Sequence, residues 1–285
     1  MQKIPDKFNM IKNPQNAVRI FRKLRWKPKL HCVYCGCVDD IRTHSLMKSG
    51  LKRYFCPHCG KTFSDTTDTV FSKSRIPMWK WMYVLIILFE STASLSAAEA
   101  GRAVKVSYPT ALRMMRRIRN SFQMDQFEGK LRGIIESDEG WFSHKDNQQI
   151  LEGIVERGGS VKFFEVMDRT EISLCFPHWK YVEKGSMVCT DSLASYASLG
   201  INYTHHWVNH SKGEFAWRDV HTNTIEGVWG MLKGIIRTIH HGVRKKYLME
   251  YAQLFAFMYS NRLRTVHEKF NLLFHKLCQP RYCLY

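Results

Sequence analysis

LRGIIESDEGWFSH, residues 131–144, is where the chain changes its period. Upstream, apolar residues recur at helical spacing. Here Ile134 and Ile135 form a short run that breaks into acids and then an aromatic pair. That pattern predicts a strand ending in carboxylates. The strand character persists downstream. ILEGIVERGGSVKFFEVMD (150–168) reads as a hairpin with Gly158-Gly159 at its turn. SMVCTDSLASYASLG (186–200) reads as another strand, ending at Asp191 and followed by a short helical stretch. A polar segment, HHWVNHSKGEFAWRDVHTN, leads into a long helix expected from about 223 to 239.

Strand, hairpin, helix, strand, helix is the order of an RNase H-like α/β domain. In that fold the end of the first strand, the end of a later buried strand and the helix after it converge at one end of the sheet. Those positions hold Asp138, Asp191 and Glu226. Three carboxylates meeting there repel unless a divalent cation neutralises them, and oxygen donors with open positions suit Mg²⁺ or Mn²⁺. A pair of such ions supports in-line phosphoryl displacement. Lys233 and Arg237 follow Glu226 by about two and three helical turns and share its face, where they could hold DNA phosphates. Asn223 lies one turn before Glu226 on the same side. Glu136 and Glu139 flank Asp138 and compete with it as the first acid.

The N-terminal third carries different chemistry. Cys32-Val-Tyr-Cys35 and Cys56-Pro-His-Cys59 are two C-x-x-C turns separated by 20 residues, with a hairpin pattern between them. Such turns close a tetrahedral Zn²⁺ site, and four thiolates leave no open position, so the zinc is structural. Cys37 and His58 are spare candidates, read as ordinary loop residues. MWKWMYVLIILFES (78–91) is apolar on all sides and predicts a buried helix. A short helix at about 95–103, a break at Lys105-Val106-Ser107 and a second helix from about 108 match a helix-turn-helix. Ser107 reads as its N-cap and Pro109 fits the first turn. Arg113, Arg116, Arg117 and Arg119 lie beside apolar Leu112, Met115 and Ile118, so one face packs and the other meets DNA.

Four stretches together resemble DDE transposases of the Merlin type, a eukaryotic group related to a bacterial insertion-sequence family with an ISXO2-like transposase domain. They are CVYC…CPHCGKTFS, IIESDEGWF, VCTDSLASY and VNHSKGEF…HTNTIEGVWGMLK, within roughly residues 30–262. The resemblance implies that Asp138, Asp191 and Glu226 are the catalytic triad, that the family's basic residue falls on Lys233, and that Asn223 neighbours the metal site. The family's Asp-Glu pair before an aromatic stretch favours Asp138 as the first acid. The implied partners are double-stranded DNA, as transposon ends and target, and a second subunit for end synapsis.

Composition agrees with a polyanion partner. The 285 residues carry a net charge of +18, and residues 1–132 hold 25 Lys+Arg against 9 Asp+Glu. Nine cysteines, four of them in the two pairs, suit a reducing compartment and a metal. The longest apolar run, VLIILF, is too short to span a bilayer, which takes about 20 residues. An intracellular, soluble protein is expected, nuclear in a eukaryotic host and cytoplasmic otherwise. The expected organisation is a zinc ribbon with a basic arm (1–75), a helix-turn-helix-like segment (76–128), the RNase H-like catalytic domain (129–262) and a helical tail (263–285). That tail, with the helix before it, would cover the sheet or make a dimer contact. His205, His206, His210 and His221 read as surface or DNA-contacting histidines before zinc ligands, and the tryptophans 141, 179, 207, 217 and 229 mostly as core. Two further functions fit less well: a DNA-binding regulator that has lost catalysis, and an RNase H-like nuclease without strand transfer.

Overall fold

The computed structural model describes residues 10–91, 94–122, 129–144, 147–208, 216–217 and 220–278. They fall into two compact units, Met1–Ser121 with Arg264–Tyr285, and Phe122–Leu263.

In the first unit, helix α1 (Pro14–Arg25) starts at Asn13, whose side chain accepts from the N–H groups of Gln15 and Asn16. Strands β1 (Arg42–Leu46), β2 (Lys52–Phe55) and β3 (Thr62–Ser64) form a small antiparallel sheet in that order. A buried carboxylate, Asp65, ties α1 to this sheet. It accepts from Arg22, Trp26 Nε1 (2.8 Å), Tyr54 Oη (2.9 Å) and the Lys52 N–H. Helix α2 (Met78–Glu90) is buried along most of its circumference, as its composition requires. Helices α3 (Ala97–Val104) and α4 (Tyr108–Asn120) are separated by Lys105 in the left-handed region. Ser107 occupies the N-cap position of α4 but makes no capping bond there. Its hydroxyl lies 2.9 Å from Thr110 Oγ1 instead. The C-terminal helix Val266–Leu277 belongs to this unit: Phe274 packs edge-on to Phe21, with ring centroids 5.4 Å apart, and stacks on Phe71. The tail is therefore not a separate segment. A ribbon and four short helices have too little apolar surface alone, and the last helix supplies aromatic area to their core.

The second unit holds β4 (Ile134–His144), β5 (Asn147–Glu156), β6 (Val161–Val166), α5 (Glu171–Tyr181), β7 (Met187–Asp191), β8 (Thr204–Val208), the short pair β9 (Ala216–Trp217) and β10 (Val220–His221), α6 (Asn223–Thr238) and α7 (Lys245–Ser260). The main sheet runs β6-β5-β4-β7-β8. The first three strands are antiparallel neighbours, and β7 and β8 run parallel to β4. This is the RNase H-like arrangement. Helices α6 and α7 bury one face, where Leu151, Val155 and Phe163 meet Val228, Leu232 and Ala252. Helix α5 and the 3₁₀ segment Ala194–Ile201 bury the other, against Ile135, Ile154 and Val188.

Two expectations change here. Asp138 is not at the end of β4, which runs on to His144 through its pairing with β5. What ends near Asp138 is the parallel pairing with β7, whose last partners are Glu136 and Cys189. The polar segment after residue 204 contains a strand, β8. As an edge strand it is largely open to solvent and needs no apolar alternation.

Trp229 sets α6 on the sheet. A Cβ at Gly140 would lie 2.7 Å from its ring, and one at Gly153 would lie 2.6 Å away. Two glycines on adjacent strands make the recess the indole fills. Of the five tryptophans read from the sequence as mostly core, Trp229 is buried, while Trp141, Trp179 and Trp207 are exposed. The side chain of Trp217 lies outside the described residues.

Candidate active site and four-cysteine cluster

Strand parity decides which acids can meet. Glu136, Asp138 and Gly140 point to the α6 face, while Ser137 and Glu139 point to the α5 face. On β7, Cys189 pairs with Glu136, and extending that register by two residues sets Asp191 against Asp138. Neighbouring strands are about 4.8 Å apart, so the two carboxylates start close and on one face. Glu226, in the first turn of α6, stands over the same end. Its Oε1 accepts from Thr222 Oγ1 at 3.1 Å. Burial pushes the Asp138 carboxyl up to about 7; the charges of Glu139, Asp191 and Glu226 act in the same direction, against a backbone hydrogen bond from Glu139. Asp138 therefore feels both other acids. The oxygens of the three do not all lie within 4.8 Å of one another. Among the described residues, only the four cysteines form a cluster that tight.

The flanking acids have other work. Glu136 is fully buried and accepts from Arg157 Nε (2.5 Å), Thr224 Oγ1 (2.8 Å) and the backbone N–H groups of Thr224 (2.7 Å) and Ile225 (3.0 Å). It anchors the N-terminus of α6. Glu139, on the opposite face, accepts from Tyr196 Oη at 2.5 Å and Arg169 Nε at 2.9 Å. Neither Asp65 nor this pair of clasps carried a signal in the residue pattern. Buried hydrogen-bond partners distant in sequence leave none.

The basic candidates separate too. Lys233 and Arg237 are exposed on α6 on the same side as Glu226, and Lys233 Nζ lies 5.7 Å from the Phe142 ring centroid. Asn223 is exposed at the start of α6. On α4, Arg113 and Arg116 are exposed. Arg117 is turned inward, donating to the carbonyls of Val70 (3.1 Å) and Ser72 (3.0 Å), and Arg119 is buried. Both depart from the expected DNA face: the Val70 and Ser72 carbonyls outcompete solvent for the Arg117 guanidinium, and Arg119 is packed inside the unit. Leu112, expected to pack, is exposed beside Arg113.

Among the described residues the histidines join no metal-ligand cluster. His205 Nε2 lies 3.0 Å from Thr190 Oγ1, and His221 Nδ1 lies 3.2 Å from Glu136 Oε1. His210 lies outside the described residues.

The cysteine pairs form the expected knuckles. The Gly36 N–H bonds the Cys32 carbonyl and the Gly60 N–H bonds the Cys56 carbonyl, both at 2.9 Å. Both glycines have φ near +70°, which a Cβ would disfavour. Sγ of Cys32 and Cys59 are 3.6 Å apart, and those of Cys35 and Cys56 are 3.7 Å apart. Four thiolates at about 2.3 Å around a tetrahedral zinc would be about 3.8 Å apart, so the cluster fits that ion. Cys37 Sγ instead approaches the Asp39 carbonyl.

An RNase H-like sheet with acids on two adjacent parallel strands and on the helix above them is the layout of DDE-type transposase and integrase domains. Residues 130–260 match the family model of the ISXO2-like transposase domain. The chain is also 25% identical over 268 residues to an uncharacterised protein in transposable element ISH50 of Halobacterium salinarum, covering 85% of this chain and 89% of that one. Solved structures give weaker likenesses. A simian T-cell lymphotropic virus intasome bound to a PP2A regulatory subunit has a chain 16% identical, covering 64% of this chain and 69% of its own, at a TM-score of 0.34. The HTLV-2 integrase catalytic core domain in complex with magnesium is 12% identical, covering 52% and 86%, at 0.29. The fold assignment rests on the strand order itself. Among the described residues no helix is long and apolar enough to cross a membrane.

Proposed function

We propose that the chain is an active DDE transposase of the Merlin-type subgroup. It binds the inverted-repeat ends of its element, cleaves a strand at each, and joins the freed 3′-hydroxyl to target DNA. The observation that carries this reading is the position of Asp138, whose carboxyl feels the charges of both Asp191 and Glu226. Asp138, Asp191 and Glu226 would hold Mg²⁺ or Mn²⁺, and an all-carboxylate, half-exposed donor set suits such hard ions. Those ions supply Lewis-acid activation of the attacking water or 3′-hydroxyl and stabilise the leaving oxygen. Lys233, Arg237 and Asn223 lie on or beside the Glu226 side of α6, placed to hold phosphates next to the acids. Arg113 and Arg116 on the second helix of the helix-turn-helix contact the end DNA, and the ribbon binds one structural Zn²⁺. Two subunits bring two ends together, in the nucleus of a eukaryotic host.

The test incubates purified protein with a labelled fragment carrying the candidate inverted-repeat end, a target plasmid and Mg²⁺, beside Glu226→Gln. Joined products with the wild type and none with the variant are expected. End binding without nicking or joining, with Mg²⁺ or Mn²⁺, would leave a captured DNA-binding regulator. Nicking without joining would leave a nuclease. For the ribbon, elemental analysis should find one zinc per chain, and Cys56→Ser should lose it together with end binding. Cys37→Ser should retain both.

A further inference from the structure

Arg169 stands in the loop between β6 and α5 and joins two acids of different kinds. Its Nε donates to Glu139 Oε2 at 2.9 Å, Nη2 pairs with the same oxygen at 2.8 Å, and Nη2 lies 4.0 Å from Asp191 Oδ2. The group is held on several sides. Glu139 is fixed by Tyr196 Oη, the Arg169 carbonyl accepts from Ser195 Oγ at 2.6 Å, and the guanidinium carbon lies 5.8 Å from the Trp141 ring centroid. Asp191 is held at its other oxygen, Oδ1, by the Leu193 N–H at 3.0 Å. One carboxylate oxygen is thus spent on the backbone, and the one aimed outward faces a fixed cation.

We propose that Arg169 is a positioning residue that acts as a built-in counter-cation for Asp191, orienting its free oxygen and lowering the affinity of the acid cluster for divalent ions in the DNA-free protein. A planar, bidentate guanidinium does this better than a mobile ammonium, because Glu139 holds its plane fixed. A carboxylate close to Asp138 and Glu226 is stabilised by the charge. A divalent ion at the same acids is repelled by it, so loading favours the state in which DNA phosphates add negative charge. This inference rests on the reading of Asp138, Asp191 and Glu226 as metal ligands.

The experiment is Mn²⁺ binding to the full-length, zinc-loaded protein without DNA, read by electron paramagnetic resonance of free Mn²⁺. Wild type, Asp191→Asn, Arg169→Gln and Arg169→Lys are compared. Losing one positive charge within several ångströms of a divalent ion changes its affinity by about tenfold, even at high effective dielectric. Arg169→Gln should therefore bind Mn²⁺ about tenfold more tightly than wild type. Arg169→Lys, which keeps the charge, should stay within about twofold, yet join DNA ends less well because the fork is lost. A purely structural role would lower the melting temperature and leave the Mn²⁺ curve where it was. An unchanged or weaker affinity in Arg169→Gln overturns the proposal while the metal-ligand reading stands. Wild-type binding that Asp191→Asn does not reduce would remove the metal-ligand reading, and this proposal with it.

Discussion

Asp138→Asn should abolish strand transfer and leave the protein more stable than wild type at neutral pH. The two effects have one origin. A carboxylate that helps hold metal contributes several kcal/mol to the phosphoryl-transfer barrier, so its loss lowers the rate by about a thousandfold or more. The same carboxylate is a burden on the metal-free fold. It is half-buried among Glu139, Asp191 and Glu226, and its folded value of about 7 lies above the ordinary 3.8. Between those two values the native state binds more protons than the unfolded chain, so stability falls as pH rises through that window. Asparagine is neutral throughout and escapes the loss. The variant's margin over wild type should be near zero at about pH 4 and reach roughly 2–4 kcal/mol above pH 7. Urea unfolding of both proteins in Mg²⁺-free buffer at several pH values measures this margin. Adding Mg²⁺ should stabilise wild type and narrow the gap. A margin that is flat with pH would mean that Asp138 does not share an electrostatic site with the other acids.

Local rules made much of this legible from residues alone. The hairpin around Gly158-Gly159, the strand ending at Asp191, the helix bearing Glu226 and the paired C-x-x-C knuckles each announce themselves within about fifteen residues. They are written in period, turn chemistry and ligand spacing. What was not legible depends on contacts across the chain. Strand β8 hides in a polar stretch because an edge strand may face solvent on both sides. Arg117 and Arg113 look alike on a helical wheel. Only the carbonyls of Val70 and Ser72 separate them. The C-terminal helix joins the core of the first unit through Phe274, more than 200 positions from Phe21. Glu136 and Asp138 are the hardest case. They are two residues apart, share a face of β4 and differ only in how deep they sit under α6.

That difference predicts a sharp contrast, with Glu136→Gln as its second arm. Glu136 is wholly buried, and its carboxylate accepts from Arg157, the Thr224 hydroxyl and two backbone N–H groups at the first turn of α6, with His221 Nδ1 3.2 Å from Oε1. A glutamine of the same size must turn an NH₂ group toward one of those donors. It also leaves the mostly buried Arg157 without its counter-charge. Breaking one partner of a buried pair costs about 3–5 kcal/mol. Against a total stability of about 5–15 kcal/mol, that is a large share. The urea midpoint of Glu136→Gln should fall accordingly, while Glu226→Gln, on the exposed side of the same helix, should unfold within about 0.5 kcal/mol of wild type. Both variants should be inactive for different reasons. In Glu136→Gln the seat of α6 is loosened, so Trp229 is held less firmly in the recess over Gly140 and Gly153 and Glu226 loses its fixed position. If Glu136→Gln proved as stable as wild type and inactive, while Asp138→Asn kept its activity, the first acid of the triad would be Glu136, and α6 would need another anchor.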